Sequence, residues 1–236
     1  MHKRIFLTSQ SLLRAATIVV FFLSFSPLSK AQFEVGVFVG GANYQGDLAD
    51  GVIIWQESKP AFGALLRYTP MPYLTLRANY IQGKLTATDY NSKFVTTRQR
   101  GYSFSSNIRE FAVVGEFNVL GKTNSANYGD FSFVFNPYIF AGLGVASTDG
   151  TPVAPEDTKP YPFPEQGAKN VFLSIPLGLG MKFQVAEFLS IGIEWGGRAT
   201  FSDYVDGVSK NGNPNKNDWY MFGGLTLTYC FESGGY

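Results

Sequence analysis

Apolar and polar residues alternate along much of this chain. The clearest stretch is 171–183. Val171, Leu173, Ile175, Leu177, Leu179, Met181 and Phe183 share one face, and Ser174, Gly178, Gly180 and Lys182 lie on the other. The stretch 189–198 repeats the pattern, with Leu189, Ile191, Ile193 and Trp195 on its apolar face. The stretch 219–231 sets Trp219, Met221, Leu225, Leu227, Tyr229 and Phe231 against Gly224, Thr226, Thr228 and Cys230. Fainter versions cover 33–44, 61–69, 73–85, 107–119 and 133–146. Period two is the mark of a strand with two unlike faces. These segments predict eight strands, most of them longer than the roughly five or six residues of an ordinary strand. A strand of about 9–11 residues crosses a bilayer when tilted.

A soluble sandwich alternates in the same way, so the context decides. The predicted connections alternate between short and long. Pro70-Met71-Pro72 and about 184–188 are short; 45–60, 86–104, 147–170 and 202–218 are long. Short periplasmic turns and long outer loops are the habit of membrane barrels. The connection at 120–132 is the exception, polar and long where a short turn is expected. Glycines fall mainly on the polar face, as a narrow lumen requires. Tyr68, Tyr73, Tyr80, Trp195 and Trp219 are expected near strand ends, where a membrane interface places aromatic rings. The fold expected is all-β: an eight-stranded antiparallel up-and-down transmembrane β-barrel with a plugged lumen.

The first residues read as an address. Lys3, Arg4 and Arg14 precede the apolar run Ala15 to Phe25, Pro27 breaks it, and Ser29-Lys30-Ala31 offers small residues around a cut. This predicts a secretory signal peptide over 1–31 and a barrel over 32–236. No Cys follows the cut, which excludes a lipoprotein.

Composition narrows the chemistry. Only 16% of the 236 residues are charged, against about 25% in ordinary soluble domains. The chain has 26 glycines, 22 phenylalanines and 13 tyrosines. One Cys, Cys230, excludes an intrachain disulfide. The one His, His2, lies in the segment to be removed, which leaves no His-based triad or metal site. Without Lys3, Arg4, Arg14 and Lys30, 15 basic residues face 18 acidic ones, a net charge of −3. Nothing concentrates positive charge for nucleic acid. Gly40-Gly41 and Gly142-x-Gly144 precede no helix and are not phosphate loops. No catalytic residue, cofactor, metal or small-molecule substrate is expected. Cys230 points inward by parity and reads as a small filler.

The inward charges carry the most information. Parity sends Arg67, Arg77, Lys182 and Arg198 inward, with Glu110, Glu116 and Glu194. On the lipid face near the midplane, an Arg or Lys costs about 2–4 kcal/mol. Inside, such charges need partners. The near balance favours a salt-bridged interior over a selectivity ring or a catalytic pair.

Five segments match a known pattern in order along the chain. They are Gly40–Leu48 (GGANYQGDL); Pro60–Gly63 with Arg67-Tyr68; Ser103–Phe111 (SFSSNIREF) with Glu116-Phe117-Asn118; Asn136–Gly144 (NPYIFAGLG); and Ile193–Ser209 (IEWGGRATFSDYVDGVS). Together they resemble the PorG family, the small OmpA-like outer-membrane barrel of the type IX secretion system. The Tyr-x-Gly-Asp-Leu and Glu-Trp-Gly-x-Arg segments are the more specific. The proline-rich loop at 151–164 and the tail beyond Phe231 depart from the family.

The alternation of short and long connections leads us to expect a periplasmic N-terminus, and the lack of histidine a non-enzymatic protein; the resemblance implies an outer-membrane component of that system. It would sit in outer-membrane lipid and anchor the periplasmic ring, which is made of a lipoprotein and its partner subunit. It gives the odd connection a role, with Lys122, Asn124, Asn127, Tyr128 and Asp130 as candidate contacts with that ring. The alternative is a generic small barrel that supports the envelope or binds through its outer loops.

Overall fold

The structure is a computed structural model that describes residues 32–45, 58–88, 103–122, 133–149, 151–153, 170–200 and 219–231. The predicted signal peptide over 1–31, Asn124, Asn127, Tyr128, Asp130, most of the proline-rich loop and the C-terminal tail lie outside the described residues.

Nine strands are described: β1 (Gln32–Gln45), β2 (Lys59–Met71), β3 (Leu74–Thr88), β4 (Ser103–Asn118), β5 (Phe135–Thr148), β6 (Thr151–Val153), β7 (Asn170–Ala186), β8 (Leu189–Thr200) and β9 (Trp219–Cys230). Each long strand pairs antiparallel with its neighbour in the chain, β9 closes on β1, and β3 pairs with β4. The result is a closed eight-stranded up-and-down barrel. The three-residue β6 is an addition that extends β4 inside the third long connection.

The barrel has a turn end and a loop end. At the turn end lie Pro72-Tyr73, Glu187-Phe188, the 119–134 connection, and the outer limits of β1 and β9. The two tight turns are shorter than the sequence suggested, because β2 runs on to Met71 and β7 to Ala186. The loop end carries the other four connections.

Closure is staggered. Stepping from partner to partner, Gly83 leads through Ala61, Gly40, Gly224, Glu194, Gly180 and Tyr138 to Asn118. The Asn118 amide then donates to Tyr73 O at 2.9 Å, so the walk regains the foot of β3 ten positions lower, residue 83 to residue 73. Stagger of this kind goes with strands tilted about 35–45° from the barrel axis.

Hydrophobicity is turned outward. Val35, Leu66, Leu76, Val113, Ile139, Leu143, Leu177, Leu179, Ile193 and Leu227 are all exposed. A continuous apolar wall of this extent is solvated by lipid, not water. Toward the loop end of β3 and β4 the outward residues turn polar, at Gln82, Lys84, Arg109 and Asn107. The turn end wears a girdle of rings, including Phe33 against Tyr68 at 4.8 Å, Phe135 against Phe183 at 5.2 Å and Tyr229 against Phe231 at 5.3 Å.

Three expectations need correction. Tyr80 and Trp195 lie inside β3 and β8, not near their ends. Parity fixes the side of a residue but not its height, which the stagger sets. Met221, assigned to the outward apolar face, is only 8% exposed. It lines a depression in the wall beside Gly41 and Gly223.

Inward glycines make room for rings. A Cβ on Gly180 would collide with the Tyr138 ring, and one on Gly178 or Gly196 with the Phe140 ring. We expect Gly178→Val to destabilise the barrel by about 1–3 kcal/mol, since overpacking forces the wall apart. Gly115→Ala, whose new Cβ meets nothing nearer than Ala141 O at 4.0 Å, should stay within about 0.5 kcal/mol. Urea unfolding of the refolded protein in detergent measures both.

Candidate functional site

Alternation on eight staggered strands brings the inward charges into two groups. The larger one centres on Glu116 of β4. Its carboxylate accepts from Arg67 Nε of β2 at 3.0 Å and Lys182 Nζ of β7 at 3.2 Å, and lies 3.0 Å from Arg77 Nη1 of β3. Arg77 Nη1 also donates to Glu194 Oε2 of β8 at 2.6 Å, and Tyr138 OH of β5 donates to the same oxygen at 2.9 Å. Glu34 of β1 completes the group, 3.6 Å from Arg67 Nη1.

The smaller group holds Glu110. It accepts from Tyr220 OH at 2.5 Å, Ser174 Oγ at 3.3 Å and Arg198 Nε at 3.4 Å. Arg198 Nη1 also donates to Gly196 O at 2.6 Å. The two groups together touch all eight long strands.

Rings finish what the carboxylates begin. The Arg77 guanidinium carbon lies 4.8 Å from the Phe140 centroid, and that of Arg198 lies 4.7 Å from Phe222. Lys182 Nζ lies 5.0 Å from the Tyr138 centroid. A desolvated cation over a ring face gains about 2 kcal/mol.

All seven charges singled out from the sequence are therefore buried in the lumen. Sequence reasoning missed Glu34, although it sits between the outward Phe33 and Val35 in the same alternation. With it, four carboxylates face four cations among the described lumen residues, a formal balance of zero. The inward aromatics Tyr138, Phe140, Tyr220 and Phe222 were also passed over. Cys230 is buried near the turn end.

The turn end is fastened from within. Asn118 Nδ2 donates to Pro72 O at 3.2 Å and Thr75 Oγ1 at 3.1 Å. Asn136 Nδ2 donates to Lys122 O at 2.5 Å, and Gln184 N to Val134 O at 2.9 Å. Gly121 has φ 58°, in the left-handed region that glycine enters without penalty. It lies under the Tyr73 ring, which leaves no space for a Cβ. Both stems of the 119–134 connection are thus tied to the barrel. Of the five candidate partner contacts only Lys122 lies among the described residues, and its side chain is exposed.

A family model described as a domain of unknown function, DUF6089, matches residues 14–235. The chain belongs to the DUF6089 family. No curated protein matches it. Solved structures similar to this DUF6089 chain include a β-barrel domain and designed transmembrane β-barrels. Neisserial surface protein A is 12% identical, with 86% of this chain and 98% of that one covered and a TM-score of 0.48. The N-terminal barrel domain of Pseudomonas aeruginosa OprF is 14% identical, covering 85% and 97%, with a TM-score of 0.44. Ail of Yersinia pestis is 10% identical, covering 85% and 97%, with a TM-score of 0.44. The outer wall of the DUF6089 barrel is what makes it an outer-membrane-type barrel: it is apolar outside, charged inside, and closed without a free edge.

Among the described residues no cluster of His, Cys, Asp and Glu could hold a metal. What the arrangement does is cross-brace. We expect Glu116→Gln to cost about 3–5 kcal/mol, because it leaves Arg67, Arg77 and Lys182 short of negative charge in a buried site. Arg109→Ala removes an exposed pair with Asp149 at 3.8 Å and should cost under about 1 kcal/mol. Denaturant midpoints of the two variants in the same detergent separate these outcomes.

Proposed function

We propose that this protein is a non-enzymatic outer-membrane barrel of the type IX secretion system. It lies with its N-terminus and turn end in the periplasm and anchors the periplasmic ring, made of a lipoprotein and its partner subunit, to the membrane. The ordered set of segments resembling the PorG family carries the assignment to that system. The observation that carries the mechanical role is the cross-bracing around Glu116, in which side chains 49 and 66 residues away in sequence meet across the lumen. A lumen so filled supports a plugged scaffold and not an export channel. A connection tied at both stems, through Asn136 to Lys122 and through Gln184 to Val134, suits a fixed periplasmic platform. Lys122, Asn124, Asn127, Tyr128 and Asp130 are its proposed contacts with the ring. Neither nucleic acid nor a small-molecule substrate has a place in this role.

A second reading rests on the four long connections at the loop end: a general envelope barrel that binds through its outer surface. Replacing 122–130 with a Gly-Asn turn separates the two. The first reading expects the barrel to stay folded while ring proteins no longer co-purify from detergent-solubilised membranes. Unchanged co-purification would sink the platform. A deletion strain that still exports its cargo would sink the secretion role.

Plugging has its own test. Arg77→Met should leave conductance in planar bilayers at the background level and lower the unfolding midpoint. A well-folded Arg77→Met barrel with raised ion conductance would instead indicate a gated pore.

A further inference from the structure

The lipid-facing wall is not uniformly bulky. Most outward positions of β1, β8 and β9 carry large apolar residues, such as Val39, Ile193 and Leu225, all exposed. One rung nearer the loop end the same strands present Gly41, Trp195 and Gly223, paired side by side. The Trp195 ring closes over Gly223, 2.9 Å from where a Cβ would stand, but the space above Gly41 is open. It belongs to a groove of about 360 Å³ bounded by Trp195 and Met221, lined also by Glu194 and Gly224, and reaching Asn43 and Ser58 at its loop-end edge. There Asn43 Nδ2 donates to Ser58 Oγ at 3.1 Å. The groove is therefore apolar where it borders the wall and polar where it nears the loops.

We propose that this groove seats one acyl chain of a membrane lipid from the loop-end leaflet, with the lipid's polar end at the Asn43–Ser58 edge. The groove is continuous with the wall, whose neighbour is hydrocarbon. Its polarity runs in the order of a lipid in that leaflet, chain toward the membrane centre and head toward the loops. Each outward side chain around it already meets lipid, so a chain lying in the groove keeps its contacts and gains a second wall. The inference is independent of what the turn end binds.

Gly41 is the residue to change. A Cβ there meets nothing closer than Lys59 O at 3.7 Å and Ser58 Cβ at 3.9 Å, so Gly41→Leu fills the groove without forcing the backbone. The full barrel is placed in nanodiscs of a single phosphatidylcholine, released, and weighed by native mass spectrometry. The natural chain should retain one lipid, and Gly41→Leu should retain about tenfold less, a loss of roughly one decade in binding constant. Gly115→Leu, an outward change elsewhere on the wall, should retain as much as the natural chain. Equal retention by all three, or no retained lipid in any, overturns the proposal.

A second measurement needs no variant. A phosphatidylcholine with a photoreactive group in its acyl chain should label peptides holding Trp195 and Met221 above all others. Even labelling around the wall overturns the proposal. So does a cross-link from Met221 to a second polypeptide in native membranes, which would give the groove to an embedded protein.

Discussion

The Glu116 carboxylate is reached by three cations from three different strands, and the rest of the interior is arranged around that meeting. Arg67, Arg77 and Lys182 cannot face outward, because hydrocarbon there gives a charge neither water nor a counter-ion. Turned inward, they enter a space that eight strands barely keep open. Desolvation on that scale costs several kcal/mol for each ion unless geometry restores it. The barrel restores it by sharing: Glu116 serves three cations, and Arg77 serves both Glu116 and Glu194. Glu34 brings the balance to neutrality.

Volume is the second half of the same constraint. Guanidinium groups and rings are large, and a narrow lumen holds them only where the facing wall has no side chain. Gly178 and Gly196 lie under Phe140, Gly180 under Tyr138, and Gly224 beside Phe38. These inward glycines are thus the complement of the buried rings. Neither set fits without the other, so the interior behaves as one unit. A change at one of these positions is therefore felt by its partners on the facing strands.

How much of this was legible in the sequence follows from what alternation encodes. Period two separates inside from outside, so the strands, the closed wall and the burial of Arg67 through Glu194 could be read residue by residue. It does not encode height. Tyr80 and Trp195 were misplaced for that reason, since a strand's position along the axis comes from the ten-residue stagger of closure. Pairing partners are hidden for the same cause: nothing local in β4 says that Glu116 meets Arg67 while Glu110 meets Arg198. Glu34 was missed for a different reason. It lies at the start of β1, where only Gln32 and Phe33 precede it, too few alternating positions to fix its side. Nor does the sequence show which of several inward polar residues fasten the turns; Asn118 and Asn136 emerge only once their strands are staggered.

Gly41 follows a separate logic from the glycines that lie under rings. Phe140 would collide with a Cβ on inward Gly178, and Trp195 with one on outward Gly223. At Gly41 no such collision stands behind the choice, because space lies above its Cα. In water an exposed glycine of this kind is a mere lack of packing. In hydrocarbon it changes the shape that lipid meets, since every outward atom is in contact with a chain that must bend around it or lie along it. Gly41 and Gly223 lie side by side on neighbouring strands, with Trp195 next to Gly223. The wall there is therefore indented at Gly41, and an indented apolar surface touches a lipid chain on more than one side. The same residue type thus closes the barrel's interior and shapes its outer contact.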